Sequence, residues 1–135
     1  MEDLFQMRME KREIDAISNL GLAHLGDGVY ELMCRAKLCA EGGKTLRRLH
    51  HDSVELVKAP TQAKFALKLL PHLTPEETDY FRRGKNAHSH AAPKSATAKE
   101  YALATGLETL FGALYLAGET RRLQELFTII MEEEP

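Results

Sequence analysis

No stretch of the chain carries the roughly 18 consecutive apolar residues that a membrane-crossing helix needs. Met1 to Glu13 mixes acids with bases and has no apolar run of the kind that opens a secretion signal, so a cytoplasmic location is expected. Positive charge is not in excess: 18 Lys and Arg stand against 20 Asp and Glu, a net charge of -2. The molecule is therefore no polycation, and any contact with nucleic acid must come from a local basic patch. Cysteine is scarce, with Cys34 and Cys39 five apart and no CxxC pair. Two reduced thiols in a cytosolic protein fit this better than a disulfide or a metal site. Strict two-residue alternation is missing too, so no strand is expected, and no internal repeat is visible. What remains is 135 residues, 44% apolar and 28% charged, which is the size and balance of one soluble domain spanning 1–135.

The apolar spacing is helical almost throughout. Leu22, Leu25, Val29, Leu32, Met33 and Ala36 fall on helical intervals, and Gly42 and Gly43 then end the helix. A second segment runs from about Thr45 to Lys58, with Leu46, Leu49, Val54 and Val57 as candidate core. Pro60 suits the first turn of a third helix that carries Phe65, Ala66, Leu69 and Leu70 and stops at Pro71. Thr74, Pro75 and Glu77 form a start signal, with Thr74 as N-cap and Glu77 at the capping-box position. That helix is expected to end near Arg83 and Gly84. A loop follows to Ser95, then a long helix over roughly 98–117 and a last one over roughly 119–131. The fold class is all-α.

Two acids interrupt apolar helices. From Tyr101 to Gly118 the only charged residue is Glu108, and from Asn19 to Tyr30 the only acid is Asp27. An ionised carboxylate buried without a partner costs several kcal/mol, so such an acid is expected to have a cationic partner. A divalent metal is one candidate. Glycines flank both: Gly26 and Gly28 around Asp27, Gly106 and Gly112 around Glu108. Each mid-helix glycine costs about 1 kcal/mol relative to alanine, which points to two helices packed closely or to a ligand near their backbone. The plain alternative is that each acid sits at the edge of its apolar face and is merely solvated. His24 and Glu31 lie about one turn before and after Asp27 and are candidates for an outer layer around a metal there.

Tyr80 to Lys99 contains five basic residues, Arg82, Arg83, Lys85, Lys94 and Lys99, and no acid. With Asn86 among them, this is the local patch that can reach phosphates. An ordinary solvated loop is the competing reading. His88, Ser89 and His90 lack further ligands at metal spacing and read as polar filler.

At this point a resemblance enters. Leu25 to Leu32 resembles the LGDAVxEL signature helix of ribonuclease III domains, and Glu108 to Leu116 resembles their second acidic helix, EALxGAxYL. Arg82 to Ala87, with Pro93 and Lys94 following, is similar to the RRGRNA…PK loop of the Mini-ribonuclease III branch, and Leu49, His50, Gln62 and Ala63 fit as well. The likeness runs over roughly 20–130. It implies an all-helical homodimer without a separate double-stranded-RNA-binding domain. It implies an endoribonuclease that matures large-subunit (23S) ribosomal RNA precursor. By the same resemblance Asp27 and Glu108 are catalytic and hold Mg2+, or Mn2+ in its place, and Arg82, Arg83, Lys85, Asn86 and Lys94 engage RNA. Full-length ribonuclease III has two further acids, at the positions of Ala23 and Thr105 here; the Mini branch shares both gaps.

Two other functions compete. A helical nucleotide pyrophosphohydrolase would use Glu10, Glu13, Asp27 and Glu31, but leaves Glu108 and the basic loop without a role. A non-catalytic RNA-binding helical dimer acting in ribosome assembly would keep the basic loop and need no Asp27.

Overall fold

The computed structural model describes residues 1–87 and 96–132. Among them are seven α-helices and no strand: α1 Lys11–Asp15, α2 Asn19–Glu41, α3 Leu46–Val57, α4 Ala59–Leu69, α5 Pro75–Lys85, α6 Ala98–Leu116 and α7 Thr120–Met131. A 3-10 turn, Leu70–His72, follows α4 where Pro71 removes a donor. The expected helices form at the expected places. Thr45 caps α3 through Arg48 N, and Thr74 and Glu77 close a reciprocal box at the start of α5. Thr97 and Glu100 do the same for α6.

Helix α6 is the centre of the molecule. Beyond its first turn, which carries Lys99 and Glu100, its one charged residue is Glu108, and a helix that apolar belongs in the interior. Leu103, Leu107, Leu110, Phe111, Ala113 and Leu114 are all buried. Helices α2, α5 and α4 surround it, with α7 closing one end. Tyr30 of α2 lies edge-on to Phe111 and Phe127 at 6.0 and 6.3 Å, and its hydroxyl donates to the Leu56 carbonyl at 2.7 Å. Those contacts tie α2 to α3, α6 and α7.

The N-terminal segment adds an element for which the apolar spacing gave no signal. Met7 and Ile14 are buried, Met9 N donates to the Leu116 carbonyl at 2.8 Å, and α1 begins at a box formed by Glu10 and Glu13. Glu10 and Glu13 are thus occupied in capping, away from any acidic cluster. The expected core of α3 is corrected: Leu46 is 81% exposed and Val54 45%, while Leu49 and Val57 are half-buried. On α2, Leu32 is 57% exposed and Ala36 is also at the surface. The apolar periodicity marks helices correctly there, but part of each stripe faces outward instead of into α6. Cys34 is buried and Cys39 exposed, and both are free thiols.

Candidate active site

The site begins with a backbone crossing. A side chain on Gly26 of α2 would land on the Glu108 carbonyl oxygen and 2.8 Å from the Gly112 nitrogen. One on Gly112 would meet the Leu22 carbonyl oxygen and lie 3.1 Å from the Gly26 nitrogen. Each glycine therefore makes room for the other helix's main chain. Gly106 serves a different neighbour, since an added Cβ there sits 2.8 Å from the Phe81 carbonyl of α5. Gly28 has open space around it and takes no part in close packing.

Because α2 and α6 touch at Gly26, the next residue, Asp27, comes beside Glu108. The two carboxyl groups lie close enough for the charge of one to act on the other. Their surroundings differ from what the sequence alone implied. Asp27 is exposed; Glu108 is the half-buried member. Burial, and then the negative charge of Asp27, push the Glu108 carboxyl up to about 8, with the Gln62 amide pulling it back. A divalent cation bound there would displace the proton that burial and the neighbouring charge keep on Glu108.

The donor set fits a cation that keeps most of its water. Neither Asp27 nor Glu108 has a Lys or Arg ion-pair partner among the described residues. No third metal-ligating side chain joins them among the described residues. One or two carboxylates with water and substrate oxygens suit magnesium. Ala23 and Thr105, which stand where further acids lie in full-length ribonuclease III, are 6% and 5% exposed, and Thr105 Oγ1 donates to the Tyr101 carbonyl at 2.9 Å. Both positions are filled by packing. Glu31 is half-buried and 3.3 Å from Arg35, and His24 is exposed.

The pair makes metal-free stability depend on pH. Glu108 has a higher pKa folded, about 8, than its ordinary 4.5. The folded state therefore favours the proton, and this contribution is complete below about pH 4.5 and lost as pH rises through about 8. In chelator, wild type should lose melting temperature relative to Glu108→Gln between about pH 5 and about pH 8. A difference between the two that stays constant with pH would contradict the assignment.

The basic end of α5 is held to the same framework. A Cβ on Gly84 would run into Thr109 of α6. Arg83 Nε donates to Asn19 Oδ1 at 2.8 Å, its Nη1 lies 3.1 Å from Asp15 Oδ1, and its guanidinium lies 5.3 Å from the Tyr80 ring centre. Arg83 is thus committed to a contact between α5, α1 and α2. Arg82, Lys85 and Asn86 are exposed, and neither Arg82 nor Lys85 has an ion-pair partner among the described residues. Asn19 precedes Asp27 by eight residues on α2, which places the basic end roughly 12 Å along the helix from the acid pair. Lys94, with His88 and His90, lies outside the described residues.

The chain matches the family model for the ribonuclease III domain over residues 20–119. It is 47% identical over 107 residues to Mini-ribonuclease 3 of Symbiobacterium thermophilum, covering 79% of this chain and 82% of that one. To Mini-ribonuclease 3 of a Thermoanaerobacter species it is 38% identical over 124 residues, covering 92% and 87%. A crystal structure of a Fusobacterium nucleatum protein superposes with a TM-score of 0.81 at 30% identity, over 90% of this chain and 98% of that one. The helical order, the α2–α6 crossing and these matches agree, and the chain belongs to the ribonuclease III family of endoribonucleases, on its Mini-ribonuclease 3 branch.

Proposed function

We propose that this endoribonuclease cuts double-stranded RNA as a homodimer, with Asp27 and Glu108 holding Mg2+, or Mn2+ in its place. The observation that carries the reading is the carboxylate pair at the α2–α6 crossing, close enough to interact electrostatically and without a Lys or Arg ion-pair partner among the described residues. Magnesium held there would supply Lewis-acid stabilisation of charge on the phosphate and a more acidic water. The chain's own part is orientation and binding. The Gly26–Gly112 contact sets the distance between the two acids, Glu108 is half withdrawn from water, and Arg82, Lys85 and Asn86 draw in phosphates. Lys94 belongs to the same basic stretch of sequence. Arg83 aligns that surface through Asn19 and Asp15. His24 and Glu31 flank Asp27 on α2 and act on the cation through water.

Shape, phosphates and 2′-hydroxyls would be the recognised features of such a duplex. The exposed apolar side chains Leu20, Leu32, Leu46 and Val54, on the contacting helices α2 and α3, support a dimer face there. A dimer would bring two acid pairs to the two strands. Membership of the Mini-ribonuclease 3 branch supports precursor 23S ribosomal RNA as the natural substrate and the cytoplasm as the place of action. Among the described residues no helix is long and apolar enough to cross a membrane.

The test is incubation with long double-stranded RNA at low salt in magnesium, in manganese and in chelator. Cleavage of duplex in either metal, none in chelator, and sparing of single strands are expected. Binding should weaken steeply as salt rises, since phosphate contacts dominate it. Binding without cleavage in either metal would replace the enzyme with the non-catalytic RNA-binding dimer.

A further inference from the structure

The last turns of α5 are gripped on one face and free on the other. Successive helical residues are set about 100° apart, so residues three or four apart share a face and residues two apart lie on opposite ones. Tyr80, Arg83 and Gly84 make one face. Tyr80 is buried, and a Cβ on Gly84 would run into Thr109. Arg82, Lys85 and Asn86 make the other, and all three are exposed. The gripped face is held from outside α5 chiefly by Asp15. Asp15 Oδ1 accepts from the Tyr80 hydroxyl at 2.8 Å and from Arg83 Nη1 at 3.1 Å, and Oδ2 accepts from Lys11 Nζ at 2.7 Å.

Nothing local favours an acid at this position. Asp15 is the last residue of α1, and the C-terminal end of a helix disfavours negative charge. Its pair with Lys11 runs base before acid, the weaker order along a helix. The two donors from α5 supply the reason. Asp15 also works from a fixed base, since Met7 and Ile14 are buried and Met9 N donates to the Leu116 carbonyl at 2.8 Å. Asn19 Oδ1, in the first turn of α2, takes Arg83 Nε at 2.8 Å. One guanidinium thus bridges the end of α1 and the start of α2. Helix α1 precedes residues 20–119, which match the ribonuclease III domain, so this grip is an addition to that domain.

We propose that Asp15 is a positioning residue for RNA binding: by holding Tyr80 and Arg83 it fixes the end of α5 so that Arg82, Lys85 and Asn86 meet the phosphates together. The inference rests on that exposed face contacting RNA. Side chains presented on a fixed turn lose less freedom on binding than those on a loose one, and affinity gains accordingly. Charge alone has the opposite sign. An acid beside a phosphate-binding surface repels RNA, and its removal would also release Arg83 as a further cation. The competing role is therefore that Asp15 only docks α1 and otherwise works against RNA.

The experiment measures binding of a labelled RNA duplex to the full-length protein in chelator at low salt, and single-turnover cleavage in magnesium at saturating protein. Wild type, Asp15→Ala, Asp15→Asn, Arg82→Ala and the double variant Asp15→Ala with Arg82→Ala are compared, each first checked for helical circular dichroism. Asp15→Asn loses the charge and keeps an oxygen for Tyr80 and Arg83. Tyr80→Phe removes one α5 donor at constant charge, and it carries the test if Asp15→Ala does not fold. The expected duplex dissociation constant is raised roughly fivefold in Asp15→Ala and at least about twofold in Tyr80→Phe, and stays within about twofold of wild type in Asp15→Asn. The saturated cleavage rate is unchanged in all three. In the double variant the two losses do not multiply, because both act on one surface. A dissociation constant at or below that of wild type in Asp15→Ala, or in Tyr80→Phe where it stands in, overturns the positioning role. Losses that multiply in full in the double variant overturn it as well. Undiminished duplex binding by Arg82→Ala overturns the RNA-contact reading, and the inference falls with it.

Discussion

Gly26→Ala lowers the melting temperature by on the order of 10 °C and abolishes cleavage. The methyl group has nowhere to go. It would fall on the Glu108 carbonyl oxygen and 2.8 Å from the Gly112 nitrogen, and both are main-chain atoms of a buried helix that cannot swing aside as a side chain can. Overpacking of a core costs about 1–3 kcal/mol, sometimes more. A domain of this size loses roughly 4 °C per kcal/mol, and the rigid neighbours put Gly26 at the upper end. Relief requires α2 to move off α6, which separates Asp27 from Glu108, so activity falls further than stability. Gly28→Ala, two residues on, goes the other way. An added Cβ there meets nothing within 4 Å, and alanine is the better helix former by about 1 kcal/mol. Thermal melts of the two variants beside wild type decide the matter. Equal melting temperatures would show that the close crossing does not hold in solution.

Asp27→Asn and Glu108→Gln each reduce the rate of duplex cleavage roughly a thousandfold. A metal ion stabilises the developing charge by several kcal/mol, and each 1.36 kcal/mol is a factor of ten in rate. Loss of one of only two carboxylates removes most of that term. RNA affinity should hold or tighten slightly, because a negative charge near the phosphates has gone. The two variants separate in stability. Glu108 is half-buried and held near its proton, so its amide relieves a desolvation cost in the metal-free protein. Asp27 is exposed and offers no such gain. Arg82→Ala and Lys85→Ala should show the converse pattern, weaker binding and a shallower salt dependence with the chemical step intact.

Most helices were legible because their apolar spacing and start signals agree. Thr74 with Glu77, and the unbroken run around Glu108, each fix an element locally. The Gly26–Gly112 crossing was legible in part, since glycines costly to helices stood beside both acids. Gly28 carried the same signal without the contact. The sequence left Asp27 open between burial with a cationic partner and solvation at the edge of its apolar face, and the structure exposes it. Leu25 and Leu32 made its helix look buried on that side, whereas Leu32 faces outward and Leu25 is half-buried. Periodicity reports an apolar stripe and cannot say whether this chain or a second one covers it. The partners of Arg83 lay too far off in sequence, at Asp15 and Asn19, to be paired with it in advance. Gln62 left a signal that could have been read: it shares helical spacing with Ala66 and Leu69, both buried, and a polar residue on that stripe calls for a partner.

In the proposed mechanism Asp27 and Glu108 together hold the cation that cuts RNA. Single-turnover cleavage of one long duplex by wild type and Asp27→Asn, across a magnesium titration with duplex affinity measured in parallel, tests it most directly. Magnesium-dependent cutting by wild type and a loss of roughly a thousandfold in the variant, at unchanged duplex affinity, are expected. Cutting by Asp27→Asn at the wild-type rate and the wild-type magnesium midpoint would contradict it.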